Sequence, residues 1–304
     1  QAVLADGSAA TFDERFFVTA EQQCSHAGCI AQALTRIMVD YDDAIRADFP
    51  RHWRRASGYN LDKLLSPPPA AGLTSAVAGP SRMAPILRPS HTPNPAQLIA
   101  GSEGTLAIMT EVTLRLTPRP ARTVLGIVHF DDLVAAAEAT PPILALQPSA
   151  VELMDKWLMD LCRRHTEYGR RLTFVEGDPA CVLAVEFYVD SEAEGQARLA
   201  ALAAQLAAHG HRGVIVPLID PAAQANAWSV RKAGLSLLLS KRGDVKPVGF
   251  MEDVAVPVAH LPDYVRGVQR LFAGFGKQAA FYAHASAGCL HIRPMLNLKD
   301  AHDL

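Results

Sequence analysis

The stretch "VLGIVHFDDLVAAAEA", Val124 to Ala139, decides how the rest of the chain is read. Its first seven residues form a short apolar run of strand length. The two aspartates that follow are helix-starting residues, and an alanine-rich helix is expected from Leu133 to Ala139, begun by Asp131 or Asp132. The same strand–helix alternation continues downstream. Helices are expected at Val151–Arg163, Ser191–His209 (closed by Gly210) and Leu261–Phe275, with Gly276 just past the last of them. Strands are expected at Val182–Val189, Val214–Leu218, Val254–Pro257, Ala279–Ala283 and Cys289–Ile292. Short strands in this order predict an α+β sandwich of ferredoxin-like type from residue 121 onward.

Upstream the pattern differs. "QAVLADGSAATF" reads as a hairpin turning at Asp6-Gly7, and such a hairpin needs neighbouring strands. Because Gln1 is not an initiator, the chain is expected to be a piece of something longer. Cys29–Ile45 carries apolar residues at helical spacing. Residues 66–95 are dense in proline and alanine, and a mobile surface loop is expected there. Leu106–Leu116 alternates Val112, Leu114 and Leu116 against Glu111, Thr113 and Arg115, the pattern of a half-buried strand. The prolines of "TPRPART" then mark a domain boundary near residue 120.

Composition bounds the function. The 304 residues suit two domains, with 49% apolar and 20% charged residues and a net charge of −2. No basic run offers an electrostatic footprint for nucleic acid. No apolar stretch reaches membrane-spanning length, and the sequence shows no charged n-region followed by an apolar h-region. Five cysteines without paired spacing read as reduced thiols, so a cytosolic location is expected.

Two stretches could carry chemistry. "GSEGTL", Gly101 to Leu106, pairs two glycines that permit left-handed backbone with two hydroxyl side chains. It suits a tight turn against a polar cofactor, or simply a turn before a strand. It is no dinucleotide fingerprint. "FYAHASAGCLHIRP", Phe281 to Pro294, holds His284 and His291 around a small-residue turn that could bring both imidazoles together. They are either a metal clasp or two histidines capping neighbouring strands. Glu252 and Asp253, adjacent on a strand, are expected to face opposite ways. One would contact the His284 region and the other solvent or a turn. Cys289 is read as a buried thiol at a strand start, a soft metal ligand being the alternative. His26, His52, His91, His129 and His165 read as ordinary surface or boundary residues.

"SGYNLDKLL" followed by "GSEGTLAIMTEVTLRLTPRP", "WSVRKAGLSLLL", "FMEDVAVP" and "YAHASAGCLHIRP" together resemble the FAD-linked oxidases of the vanillyl-alcohol oxidase superfamily. This group includes D-lactate, glycolate and D-2-hydroxyglutarate dehydrogenases. The last two motifs look most like the large flavin and iron–sulfur enzymes acting on D-2-hydroxyglutarate.

The resemblance implies the second half of an FAD-binding domain at 1–120, with residues 66–95 an insertion in it, and a cap, or substrate, domain at 121–304. It implies FAD against Ser57, Gly58 and Tyr59 and against Gly101, Ser102, Glu103, Gly104 and Thr105. Arg231 would hold the substrate carboxylate with Lys232 beside it, where a bare reading gives only a helix-surface arginine. His284 and His291 would bind a divalent, zinc-like metal that polarises the substrate. The implied activity is oxidation of a D-2-hydroxy acid by hydride transfer to flavin N5. Electrons would pass to a quinone, an electron-transfer protein or an iron–sulfur domain, including a cluster elsewhere in the parent protein. Such an acceptor would place the protein at the periphery of the inner membrane. The family's pyrophosphate loop and later "EHG" motif do not occur in the chain, and Ala283, Ala287 and Cys289 depart from the commoner histidine-loop form. These departures favour the alternative, a non-catalytic flavin-fold subunit supporting a multi-subunit glycolate-type oxidase.

Overall fold

The computed structural model describes residues 1–20, 25–52, 54–55, 58–65 and 93–304. Ser57, His91 and most of the 66–95 segment lie outside them. The described residues form two compact units. One comprises those up to Thr117 except His52 and Arg54; the other joins these two to Pro118–Leu304.

In the first unit, β1 (Ala2–Val3) and β2 (Ala9–Ala10) form the expected hairpin. β1 also pairs with β3 (Ile108–Met109), giving a small antiparallel sheet. The helix expected over Cys29–Ile45 is instead two, α2 (His26–Asp40) and α3 (Asp42–Asp48), following the short α1 (Phe16–Ala20). Ser25 caps α2 by accepting from the Gly28 amide at 3.2 Å. Tyr41 leaves helical geometry, and the chain restarts on Asp42 and Asp43, acids that suit a helix N-terminus. Phe16, Ala31, Leu34, Leu64 and Leu98 form this unit's core, the last from α4 (Ala96–Ile99).

The strand expected at Leu106–Leu116 is only two residues long. Val112, Leu114 and Leu116 are exposed by 56, 73 and 87%. Alternation prepares a segment to pair, but a ladder needs a neighbour. Among the described residues β1 and Gln1 supply one, the latter through both its amino group and its carbonyl, and only as far as Glu111.

The second unit opens with β4 (Arg122–Phe130) and α5 (Leu133–Leu144), capped by Asp132, whose side chain accepts from the Ala135 amide at 3.0 Å. The helix runs past the expected Ala139 and takes Pro141 and Pro142 into its last turn. Then come β5 (Ala150–Asp155), α6 (Lys156–Arg164), α7 (Thr166–Arg171), β6 (Cys181–Val189), α8 (Glu192–Ala208) and β7 (Ile215–Leu218). They are followed by α9 (Pro221–Leu239), β8 (Lys246–Pro247), β9 (Met251–Ala255), α10 (Leu261–Gly274), β10 (Ala279–His284) and β11 (Cys289–Leu296).

The order β7-β4-β6-β5 is the ferredoxin-like arrangement. β10, β11, and then β8 and β9 extend it beyond β5, with antiparallel pairing throughout. The α+β expectation is met. Val151, Leu153, Phe281, Ala283, Leu290 and Ile292 pack into the core shared with α5, α8 and α10. The opposite face packs on α6, α7 and α9 through Leu125, Ile127, Met154, Val182 and Leu237. Each fully buried Leu, Val or Phe in these layers contributes about 1.5–3 kcal/mol.

One expectation here was wrong in a consequential way. Val151–Arg163 is not a single helix, because residues 150–155 are a strand at the centre of the sheet, between β6 and β10. A short apolar run has no period that separates a buried strand from a helix. Asp155 divides the two: its carboxylate accepts from the Leu158 amide at 3.0 Å, starting α6, and from the Phe281 amide at 2.6 Å, tying β10.

His129 also departs from the sequence reading, being 5% exposed. Its Nδ1 faces the Ile127 carbonyl and its Nε2 accepts from the Glu176 amide at 3.0 Å. Burial lowers its pKa, so the neutral ring is the one the fold holds.

Candidate functional site

Strand register builds the site. Tyr282 on β10 lies opposite His291 on β11, and His284 lies opposite Cys289. On the other edge of β10, His284 is opposite Glu152 of β5. Residues directly across a ladder share a face, as do alternate residues on one strand. Glu152, Tyr282, His284, Cys289, His291 and Arg293 therefore project from one face of the sheet. It is the face covered by α9, which supplies Arg231.

Two parallel units stand on this face. In the first, the Glu152 carboxylate contacts His284 Nδ1 at 2.8 and 3.0 Å and accepts from Arg231 Nε at 3.0 Å. The Arg231 Nη2 atom is 2.8 Å from the same carboxylate, and both the arginine and glutamate side chains are only 12% exposed. In the second, Glu252 lies 2.8 Å from His291 Nδ1, and its other oxygen is 2.5 Å from Arg293 Nη2. Tyr282 sits between them. His291 stacks on its ring at 4.5 Å, the Arg231 guanidinium lies 5.3 Å from its centroid, and Arg293 Nε donates to its hydroxyl at 3.4 Å. Burial pushes the Tyr282 phenol up, so it stays protonated at neutral pH.

A carboxylate against Nδ1 selects the imidazole tautomer. With Nδ1–H donated to Glu152 and to Glu252, His284 and His291 each keep a lone pair on Nε2. The two rings lie edge to face, 5.3 Å between centroids. The turn joining their strands is a 3₁₀ turn at Ala285–Ala287 closed by Gly288, at φ +64°.

The expectation for Glu252 and Asp253 is overturned. β9 carries a bulge where the register shifts between Leu290 and Ile292, so two residues of β9 stand against His291. Asp253 adopts φ +51°, rare for a residue with a side chain. Both carboxylates reach the same imidazole: Glu252 at 2.8 Å and Asp253 at 3.7 Å from Nδ1. Neither is a partner of His284.

Of the residues the sequence singled out, the second unit brings Arg231, His284 and His291 onto one face. Lys232 is not with them. One residue further round α9, it is exposed and lines a separate cleft with Tyr168, Trp228, Ser229 and Ser236. Glu152 and Arg293 escaped the sequence reading. Glu152 was hidden by the false helix, although the Asp155 cap signal just after it marked a strand's end. Arg293 stands two residues beyond His291 on a strand, and that spacing alone puts both on one face.

In the first unit the two segments matched to the cofactor do meet. Thr105 Oγ1 donates to the Ser102 carbonyl at 2.6 Å, so the Tyr59 hydroxyl donates to Thr105 at 2.9 Å. Asn60 donates to the Ala100 carbonyl at 2.9 Å. Gly58, Gly101, Glu103 and Gly104 all have positive φ, and a side chain added at Gly58 or Gly104 would meet nothing within 4 Å. This is open backbone of positive φ that a flat polar cofactor can approach, and no side chain at Gly58 or Gly104 stands in the way of FAD.

The sequence model described as FAD linked oxidases, C-terminal domain, matches residues 119–304. D-2-hydroxyglutarate dehydrogenase of Pseudomonas putida is 26% identical over 289 residues, covering 92% of this chain and 26% of that protein. The Escherichia coli protein of that name is 31% identical over 213 residues, covering 67% and 21%. The mitochondrial D-lactate dehydrogenase [cytochrome] of Arabidopsis thaliana is 27% identical over 197 residues, covering 64% and 33%. The chain thus spans about a fifth to a third of the length of these relatives. Among the described residues no helix is long and apolar enough to cross a membrane. The family match takes in every strand of the large sheet and the whole Arg–Glu–His face, and the chain belongs to the FAD-linked oxidase family.

Proposed function

We propose that this chain supplies the substrate site of a flavin-dependent dehydrogenase of D-2-hydroxy acids, of the 2-hydroxyglutarate or lactate type. The observation that carries the reading is the carboxylate of Glu152 shared by Arg231 and His284 on one sheet face. Flavin, when bound, accepts a hydride from the carbon bearing the hydroxyl.

The chain's own residues do the rest. Arg231 donates Nε to Glu152, with Nη2 at ion-pair distance but making no hydrogen bond. It keeps its remaining N–H groups for the substrate carboxylate, the Tyr282 ring lying against the guanidinium. Loss of hydride from the substrate carbon requires loss of the hydroxyl proton. His284, with Nδ1–H tied to Glu152, offers the Nε2 lone pair to that proton. Glu152 then faces an imidazolium and stabilises it.

Gly58, Tyr59 and Gly101–Thr105 are proposed to contact FAD. A zinc-like metal on His284 and His291 would polarise the hydroxyl, yet two imidazoles are one donor short of the usual catalytic zinc set. Dicarboxylate substrates would need a second cation, and Arg293, which meets Tyr282 as Arg231 does, is proposed to supply it. The electron acceptor is proposed to be a quinone, an electron-transfer protein or an iron–sulfur domain of the parent protein.

The test is anaerobic addition of D-2-hydroxyglutarate, D-lactate and glycolate to the FAD-loaded protein. Bleaching of the flavin bands by one of the D-2-hydroxy acids is expected. Unchanged bands with all three would refute the reading.

A further inference from the structure

The helix α9 faces two ways. Arg231 turns to Glu152 on the sheet, while Lys232 turns outward, where a cleft of about 780 Å³ opens between α7 and α9. Small-molecule sites measure about 300–1,000 Å³. Tyr168 of α7 lines the cleft with Trp228, Ser229, Lys232 and Ser236 of α9, and the proposed oxidation uses none of them.

Helical spacing sets this lining. Lys232 stands one turn beyond Trp228, and Ser229, Lys232 and Ser236 follow one another at three and four residues, so ring, hydroxyls and ammonium share one face of α9. The Trp228 indole N–H faces the half-buried Glu186 carboxylate, which fixes the plane of the ring. Arg171 links the two helices. Its guanidinium lies 5.7 Å from the Tyr168 ring centroid, and its Nη1 donates to Ser229 Oγ at 2.5 Å. Ser229 accepts that bond, so its own O–H is left to donate into the cleft.

Charge then selects the ligand. Arg171 is paired with Glu167 at 2.5 Å. Lys232 makes no ion pair or hydrogen bond among the described residues, and no carboxylate lines the cleft. An exposed lysine alone is ordinary surface. Here it comes with two aromatic rings, two hydroxyl groups and no negative charge, a set complementary to a flat ring that carries an anionic group.

We propose that the cleft between α7 and α9 binds a planar aromatic carboxylate. The ring packs against Trp228 and Tyr168, the carboxylate meets the Lys232 ammonium, and Ser229 and Ser236 donate to its oxygens. A D-2-hydroxy acid lacks the ring and is not the ligand here. The site goes beyond the hydroxy-acid reading and does not rest on it.

Isothermal titration calorimetry of the whole chain with 2-naphthoate provides the test. Saturable binding is expected in the wild type. Lys232→Met removes a charge-assisted hydrogen bond and should weaken binding at least about 10-fold, as should replacing the probe by uncharged 2-naphthamide. Ser236→Trp, at an exposed position, fills the cleft and should abolish binding in a protein whose circular dichroism matches wild type. Excess D-2-hydroxyglutarate should leave the titration unchanged. No saturable binding to the wild type, or equal affinity in Lys232→Met or for the amide, overturns the site. So does binding that survives Ser236→Trp, or displacement by D-2-hydroxyglutarate, which puts the ring at the substrate face instead.

Discussion

Glu152 is the residue on which the site turns. Two groups compete for it, and both side chains of its ion pair with Arg231 are nearly buried. Removing one member of a buried pair leaves the other charge uncompensated, at a cost of about 3–5 kcal/mol. Glu152→Ala is therefore expected to destabilise the second unit on that order, measured by urea denaturation. Glu152→Gln keeps hydrogen-bonding capacity and should fold, yet lower kcat about 10–100-fold through loss of imidazole orientation, with a smaller change in KM. An unchanged kcat in the Gln variant would remove Glu152 from the mechanism.

Asp155 makes a different prediction. Burial pushes its carboxyl from 3.8 up to about 7, against the pull of two backbone amides. The fold favours the protonated form, so its contribution is full below about pH 4 and is lost as pH rises through 7. Denaturation midpoints measured across that window should fall in the wild type and flatten in Asp155→Asn.

At the scale of elements, the bulge in β9 and the Gly288 turn govern the geometry. Gly288→Ala drives a methyl into the Val256 carbonyl and strains a left-handed backbone. A loss of about 1–3 kcal/mol is expected, seen as a lower melting temperature. Asp253→Gly should do the opposite, relieving about 1 kcal/mol of left-handed backbone strain. A variant less stable than wild type would show that Asp253 is held by contacts rather than strained.

Period and punctuation explain which elements could be read from sequence. β4, β6, α5, α8 and α10 announce themselves by apolar runs or by punctuation at Asp132, Ser191, Gly210 and Gly276. β5 did not, since "AVELMD" has no period of its own and only its neighbours make it a strand. The misreading concealed Glu152. The bulge was equally hidden, because alternation assumes a regular strand and predicted opposite faces for Glu252 and Asp253. Leu106–Leu116 differs the other way: its alternation is genuine, but among the described residues only β1 and Gln1 pair with it, and only at Ile108–Glu111.

For the whole molecule, the α+β sandwich and the family were legible because short motifs recur in order along most of the chain. The convergence of Arg231, His284 and His291 was legible only through that resemblance. What sequence could not supply was the pairing of each histidine with its own carboxylate and arginine, which depends on register across β5, β10, β11 and β9. The central claim is that this face binds and oxidises a 2-hydroxy acid. Its most direct test is anaerobic absorbance of the FAD-loaded protein with D-2-hydroxyglutarate or D-lactate, wild type against Arg231→Met. The account predicts bleaching in the wild type and at least about a 100-fold slower reaction in the variant, from loss of a charge-assisted carboxylate contact. Equal bleaching in both proteins would contradict it.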